Sequence, residues 1–371
     1  MRFKLTKKFT AIFCLIIICF SCFFGCATSD NPNGENNGET PPEQTAPTPT
    51  PETYDYVYFG NYPISLVKEQ SEITSLNSVL GALPTSANLN GWTDYEYYIL
   101  GEKQSFAFYK DLKANQNTYR AVYFTKYRPS SSKLESTKDN SFQDENGYEL
   151  NTVYYFKFEP IKWRVLDEDN GEKILLSSVI LDSQSFQPDY YENTINAEKL
   201  LPNHYYINTN LAPVGTMACS YKYSYIRNYL NNAFYNVAFT SDEKDLIMLS
   251  ENANDFISAG ENSDNIFPSD TTEDYVYLAS HKEIENDKYG FKPIGEKDDL
   301  RKLEYTDYAK CQGAYYDFQG DYKWWLRSFS FYVSKYSRMA QCVTNTGKVY
   351  NYHYVDYTVM GVVPMMKILA E

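Results

Sequence analysis

The stretch from Val153 to Ser178, VYYFKFEPIKWRVLDEDNGEKILLSS, gives the strongest indication of how this 371-residue chain folds. Its apolar runs are rich in aromatic and β-branched residues, which favour strands. Asn170-Gly171 separates two of these runs. Asn and Gly tolerate the positive φ that both central positions of a type I′ turn require, so the dipeptide predicts a tight hairpin between antiparallel strands.

A helical region follows this hairpin. Ser224 precedes an apolar pattern at i, i+4 and i+8 that begins at Ile226, which predicts a helix capped by the serine. Thr240–Glu243 reads TSDE, a capping box, and predicts a second helix that continues to Leu249. Strand-like runs then return and continue to the C-terminus. This order predicts an α+β fold of mainly antiparallel strands with two or three helices.

The N-terminus has the layout of a bacterial export signal. Residues 1–8 carry four cations, and an uncharged apolar run over 9–24 leads to Gly25-Cys26. This ending resembles the lipobox of bacterial lipoproteins, although Phe23 stands where that family usually has Leu. The resemblance implies that residues 1–25 are a signal peptide, that cleavage precedes Cys26 and that Cys26 is lipidated.

Alternatives to this interpretation stay open at the sequence level. Cys22 is a second candidate for lipidation, but Ser21 precedes it and the bulky pair Phe23-Phe24 follows. The apolar run could also be a plain signal peptide or a membrane helix, although about sixteen residues fall short of the roughly twenty that span hydrocarbon. We expect a lipid-anchored protein on the cell surface or the outer face of a bacterial membrane.

Two regions follow the predicted lipidation site. Residues 26–53 consist largely of Asn, Gly, Glu, Thr and Pro, which predicts a disordered tether that holds the folded part away from the membrane. Residues 54–371 are expected to form a single elaborated α+β domain in which 64–150 is enlarged. About 320 residues would also permit two small domains.

Charge limits the partners. The signal peptide removes four of the 34 cations, which leaves 30 against 48 anions and moves the formal charge from −14 to −18. Such a surface repels phosphate backbones and anionic headgroups, so we expect no nucleic acid partner. Attachment to a membrane must then come from the acyl chains, since each buried methylene contributes about 0.8 kcal/mol.

The cysteines permit at most one disulfide. Only Cys26, Cys219, Cys311 and Cys342 follow the predicted cleavage site, and lipidation would use the first. Cys311 and Cys342 flank one compact segment, and this position alone makes them the candidate pair for a disulfide. The chain is therefore not a disulfide scaffold.

Motifs for chemistry are missing from the sequence. The three histidines are scattered and lack partners at zinc-ligand spacing, and no Gly-x-Ser-x-Gly elbow occurs. Gln187-Pro188-Asp189 matches the sugar-selecting triplet of calcium lectins, but it lacks a Trp-Asn-Asp partner and fits a plain turn better. We expect no metal, no cofactor and no catalytic residues.

Several motifs occur in a fixed order along the chain. They are Phe59-Gly60-Asn61-Tyr62-Pro63, Pro160–Leu166, Ile226–Asn231, Phe234-Tyr235, Ala238-Phe239-Thr240, Trp324–Ser328 and Gly361–Pro364. Together they resemble an uncharacterised domain family of gut-bacterial surface proteins that is marked by Trp-Trp-Leu-Arg-Ser. The likeness covers about 54–370, with departures at Phe329, where the family usually has Pro, and Val363, where it has Arg. The C-terminal pattern is also distantly similar to C-type-lectin-like folds and formylglycine-generating enzymes.

The marker motif supplies the candidate ligand-binding residues. Neighbours on a strand point to opposite faces, so one of Trp324 and Trp325 can lie in the core while the other is exposed. Arg327 shares the face of Trp325, and such a pair could receive a saccharide or an acidic group. The alternative is that both Trp side chains are buried and Arg327 pairs with a carboxylate.

These observations favour a binding protein over an enzyme. The first hypothesis is a lipid-anchored, non-catalytic domain that binds an extracellular glycan or protein. The second follows from the resemblance to formylglycine-generating enzymes, in which a cysteine pair holds copper, and would make the protein a copper or thiol-dependent oxidase. The third is a structural component of the cell envelope.

Overall fold

The Asn170-Gly171 hairpin is present as predicted. In the computed structural model Asp169 pairs with Glu172, and Asn170 and Gly171 have φ values of 51° and 79°. Both central residues are thus left-handed, as a type I′ turn requires. The two flanking strands belong to the larger of the sheets that organise the domain.

The structure describes residues 54–194, 200, 204–208, 212–254, 271–315, 323–329 and 337–370. The predicted signal peptide, Cys26 and the tether over 26–53 lie outside the described residues. Residues from Thr53 onward form one compact unit by their contacts. Within the described part of the chain, no helix is long and apolar enough to cross a bilayer.

Strands dominate this unit. They are β1 (Tyr56–Leu66), β2 (Thr93–Asp94), β3 (Tyr97–Ile99), β4 (Glu102–Gln104), β5 (Ala107–Ala114), β6 (Asn117–Phe124), β7 (Tyr154–Asp169), β8 (Glu172–Ser177), β9 (Asp182–Ser183), β10 (Tyr190–Asn193), β11 (His204–Ile207), β12 (Ile247–Met248), β13 (Ser250–Ala253), β14 (Thr271–Asp274), β15 (Val276–Leu278), β16 (Trp324–Phe329), β17 (Met339–Val343), β18 (Val349–Tyr354), β19 (Gly361–Val362) and β20 (Pro364–Leu369). The helices are α1 (Gln70–Leu80), α2 (Phe142–Glu145), α3 (Tyr225–Tyr229), α4 (Tyr235–Ala238), α5 (Ser241–Leu246) and α6 (Asp307–Cys311). A π-helical turn, Leu230–Phe234, joins α3 to α4, and 3₁₀ turns span Lys138–Asn140, Glu283–Glu285, Asp287–Tyr289 and Asp299–Arg301.

The 16-residue strand β7 is the centre of the main sheet. β1 pairs along one of its edges, whereas β6 and β8 share the other edge, β6 at the start and β8 at the end. The main path runs β12-β20-β8-β7-β6-β5-β2, and β15 also pairs with β20. The sheet therefore includes three strands, β2, β5 and β6, from the enlarged 64–150 region.

A second sheet carries the Trp-Trp-Leu-Arg-Ser motif. Its order is β18-β17-β16-β19-β9, with β16 antiparallel to β17 and parallel to β19. The other ladders between named strands that the structure describes are antiparallel, which confirms the predicted α+β class of mainly antiparallel strands.

The structure confirms where the two predicted helices begin. Ser224 Oγ accepts the Arg227 N–H, and Thr240 and Glu243 form the predicted capping box. The predicted end of the second helix is wrong. It stops at Leu246, because Ile247 pairs with Ile368 on the edge of the main sheet.

Candidate ligand-binding surface

The structure places Trp325 in the core. Its side chain is fully buried, its Nε1–H donates to Gln184 O at 2.8 Å, and its ring meets Phe186 edge-on at 5.7 Å between centroids. All six residues of β16 are buried, because this strand lies inside its sheet with both faces covered. Of the two interpretations that the sequence left open, the structure shows the one in which both Trp side chains are buried.

Arg327 is also a structural residue. It is 4% exposed, and Nη1 and Nη2 donate to the two carboxylate oxygens of Glu283 at 2.5 and 3.1 Å. Nη1 donates as well to Leu278 O at 2.7 Å. Burial alone would lower the pKa of Arg327, but the Glu283 carboxylate outweighs it and the pKa is raised. Arg327 is thus the carboxylate-paired residue of the alternative interpretation, not an open ligand contact.

The structure contains no disulfide between Cys311 and Cys342, the candidate pair. Both side chains are fully buried, one in α6 and the other inside β17. Burial, with Asp182 nearby, raises the pKa of Cys311 well above its usual value. A raised pKa opposes the thiolate that a metal ligand or nucleophile needs, which weighs against the oxidase hypothesis.

A different group of side chains reaches the surface beside the second sheet. The guanidinium of Arg338, just before β17, lies over two tyrosine rings, 4.2 Å from the centroid of Tyr205 and 4.5 Å from that of Tyr354. Tyr205 belongs to β11 and Tyr354 to the end of β18. Residues far apart in sequence therefore form one cation–π stack.

The stack continues along β18 and the turn after it. Tyr354 contacts Tyr357, Tyr357 contacts His353 and His353 contacts Tyr350, each with ring centroids 5.5 Å apart. At the other end Tyr205 meets Tyr190 edge-on at 5.7 Å. We call this set the aromatic ladder; its members are Tyr190, Tyr205, Arg338, Tyr350, His353, Tyr354 and Tyr357. Apart from buried Tyr190 its members are partly exposed, and Tyr350 is 40% exposed.

Local backbone geometry explains why rings at irregular spacing line up. Ala340 pairs with His353 but Cys342 pairs with Tyr350, so β18 carries one extra residue, a bulge. The bulge puts Tyr350 and His353 on one face although they are three residues apart. A tight turn, in which Tyr357 N–H donates to Tyr354 O at 3.0 Å, then brings Tyr357 back over the strand end.

A buried carboxylate anchors the ladder from below. Asp356 is 4% exposed; its Oδ1 accepts the Tyr190 hydroxyl at 2.7 Å, and its Oδ2 accepts the Ser131 hydroxyl. Arg338 Nη1 in turn donates to the Tyr190 hydroxyl oxygen at 3.4 Å. Burial, followed by the charge of Asp356, raises the pKa of Tyr190. Tyr190 therefore stays neutral and connects the buried carboxylate with the exposed guanidinium.

The ladder offers binding groups more than reactive ones. It presents ring faces, hydroxyls that donate or accept, and one fixed cation, Arg338. Burial would lower the pKa of Arg338, but the bond to Tyr190 and the surrounding tyrosines raise it. Among the described residues, no cluster of three or more His, Cys, Asp or Glu side chains could hold a metal ion.

The ladder was missed by the sequence analysis. The run Tyr350–Tyr357 reads YNYHYVDY and could have indicated an aromatic surface. The triplet at 187–189 lies close by, but Gln187 is buried; its Oε1 accepts the Tyr225 N–H and its Nε2 donates to Asp189 O. Gln187 thus braces the start of α3.

Comparison with known proteins yields one family. The family model described as "Domain of unknown function (DUF6273)" matches residues 170–369. The match contains the whole aromatic ladder and begins later than residue 54, where the motif likeness was expected to start. No curated protein and no solved structure matches the chain.

Proposed function

The chain belongs to the DUF6273 family, a domain of unknown function. We propose that it is a lipid-anchored extracytoplasmic protein whose domain binds a glycan and catalyses no reaction. Binding occurs at the aromatic ladder. Lipidation of Cys26 holds the protein at the membrane, and residues 26–53 give the domain reach.

The aromatic ladder carries this proposal. A sugar ring has C–H faces that pack on aromatic rings and hydroxyls that form hydrogen bonds at its edge, and tyrosine supplies both kinds of contact. Tyrosine also loses little conformational entropy when it binds, since it has two side-chain torsions. The Asp356–Tyr190–Arg338 chain fixes one end of the surface in advance, which lowers the cost of binding.

A glycan fits this surface better than an apolar protein segment does. The ladder consists of tyrosine, histidine and arginine, without an aliphatic member. Protein interfaces also use Tyr and Arg, but there these side chains fill fully desolvated pockets at the centre of the contact. The ladder instead alternates ring faces with hydroxyl and guanidinium donors, which suits a hydroxyl-rich ligand.

A glycan array with the mature protein tests the binding function. Tyr354→Ala and Tyr357→Ala should weaken binding about tenfold or more, since contact residues of this kind contribute about 1.4 kcal/mol or more. Tyr58→Ala is the matched control, because Tyr58 is 67% exposed but lies on β1 of the other sheet. Equal losses in all three variants, or capture of a protein with no glycan bound, would contradict the proposal.

Lipidation has its own test. Palmitate labelling of the expressed protein should disappear in Cys26→Ser and persist in Cys22→Ser, which controls for general effects on export. Labelling that survives Cys26→Ser would exclude this anchor. Cells that lack the protein could have a damaged envelope and yet bind glycans as well as wild-type cells do. That result would support the envelope-component hypothesis instead.

A further inference from the structure

Arg338 differs from three partly or fully buried arginines that carry short ion pairs. Arg120, Arg227 and Arg327 each donate to a carboxylate, those of Asp111, Asp274 and Glu283 respectively. Among the residues that the structure describes, no carboxylate lies within ion-pair distance of Arg338. Its contacts are the two stacked rings and the Tyr190 hydroxyl.

The orientation of the guanidinium leaves one edge open. Nη1 faces Tyr190, and the guanidinium carbon lies over the rings of Tyr205 and Tyr354. The Nε–Nη2 edge donates to none of the described residues, and Arg338 is partly exposed. This edge is the one that binds a carboxylate or sulfate through two parallel hydrogen bonds.

The neighbouring cation does not fill the same role. Lys133 Nζ lies 4.5 Å from the Tyr190 ring centroid and donates to Tyr190 O at 3.1 Å, but Asp189 lies 3.9 Å away and offsets its charge. Burial lowers the pKa of Lys133. Among the described residues of the ladder, Arg338 is thus a cation with no carboxylate at ion-pair distance, in a protein whose net charge is −14 and would otherwise repel anions.

We propose that the aromatic ladder selects anionic saccharides, with the open edge of Arg338 binding a carboxylate or sulfate group while the tyrosine rings pack on the sugar. This inference rests on the proposed glycan-binding function and adds the ligand class. The stacked rings hold the guanidinium in place before the ligand arrives, so little rotamer entropy is lost on binding. Arg338 is a specificity-determining residue here, and the rings provide binding that does not depend on charge.

Matched charged and neutral oligomers separate glycan binding by the ladder from selection of anionic saccharides by Arg338. The mature protein is titrated with two pairs of oligomers. The first pair is a uronic acid oligomer and its methyl ester, which keeps the shape and loses the charge. The second pair is a sulfated oligomer and its desulfated form. We expect each charged oligomer to bind about tenfold or more tightly than its neutral partner, the effect of one charge-assisted pair. The arm with the larger ratio identifies which anion is preferred.

Variants at Arg338 test the mechanism. Arg338→Gln should weaken binding of each charged oligomer more than binding of its neutral partner, so that the ratio between the two falls to about one. Arg338→Lys should keep the preference only in part, since Lys cannot form the two parallel bonds. The melting temperature of each variant shows that the fold is kept. Neutral partners that bind as tightly as the charged ones would overturn the anion selectivity alone. If none of the oligomers binds, the proposed glycan-binding function is overturned and this inference with it.

Discussion

Replacing Arg327 with methionine should destabilise the fold by about 3 kcal/mol. Methionine keeps much of the apolar volume but removes the hydrogen bonds that Arg327 donates to the Leu278 carbonyl and to both Glu283 oxygens. The Glu283 carboxylate then keeps the Ser280 N–H as a donor but loses its charged partner. Removing one member of a buried pair costs about 3–5 kcal/mol, and each lost charge-assisted hydrogen bond about 1.5–3 kcal/mol. Glu283 is 23% exposed, so water compensates part of the loss and the lower end of the range applies.

Urea unfolding followed by tryptophan fluorescence measures this loss. Lys103→Met is the matched control, because Lys103 and Glu96 form an ion pair at 2.7 Å with side chains 55% and 60% exposed. Such exposed pairs contribute about 0–1 kcal/mol. The double variant Arg327→Met/Glu283→Gln should be more stable than the sum of the single losses predicts, since the stranded carboxylate is removed as well.

The opposite pattern would refute this account of Arg327. A loss below about 1 kcal/mol together with loss of ligand binding would show that Arg327 contacts a ligand, as its position beside Trp325 in the sequence first indicated. Purely additive single and double losses would show that Glu283 is not its energetic partner.

Three further predictions follow from turns, charges and thiols. Gly171→Val should cost about 1–2 kcal/mol in urea unfolding because it places a β-branched residue at φ 79°, whereas Gly295→Val, at an open position without positive φ, should cost little. Burial raises the pKa of Asp182, so the native state binds more protons than the unfolded state. The stability that Asp182 contributes is full below about pH 4 and is lost as pH rises through the raised pKa. Asp182→Asn should remove this dependence from the pH profile of the free energy of unfolding. Peptides that contain Cys311 and Cys342 should be alkylated after unfolding without reductant, and slowly in the native protein, because both thiols are reduced and buried; peptide mass mapping checks both outcomes.

Local signals in the sequence predicted local structure well. The Asn170-Gly171 turn and the Ser224 cap depend on residues within four positions of one another, and both form as expected. The end of α5 was wrong because Ile247 joins an edge strand whose partner, Ile368, lies 121 residues away. Capping and apolar spacing contain no information about such a partner.

Burial on both faces of a strand explains why Trp325 and Arg327 lie inside the protein. The alternation of β16 predicted that Trp325 and Arg327 share one face, but it could not show that both faces of this strand are covered. The resemblance offered no help, since a recurring Trp-Trp-Leu-Arg-Ser motif serves packing as readily as binding. Here Trp325 and Arg327 bond to Gln184 and Glu283, which makes the motif part of the scaffold.

The aromatic ladder lay beyond sequence reasoning for a related reason. Its central stack joins Tyr205 of β11 to Tyr354 of β18 through Arg338, so the contacts span about 150 residues of chain. Tyrosine content alone gave no location, because 37 tyrosines are spread along the chain. The bulge in β18 and the anchoring of Tyr190 by Asp356 decide which of them share a surface. The Trp-Trp-Leu-Arg-Ser motif thus builds the sheet, and the edge of that sheet presents the side chains that can bind a ligand.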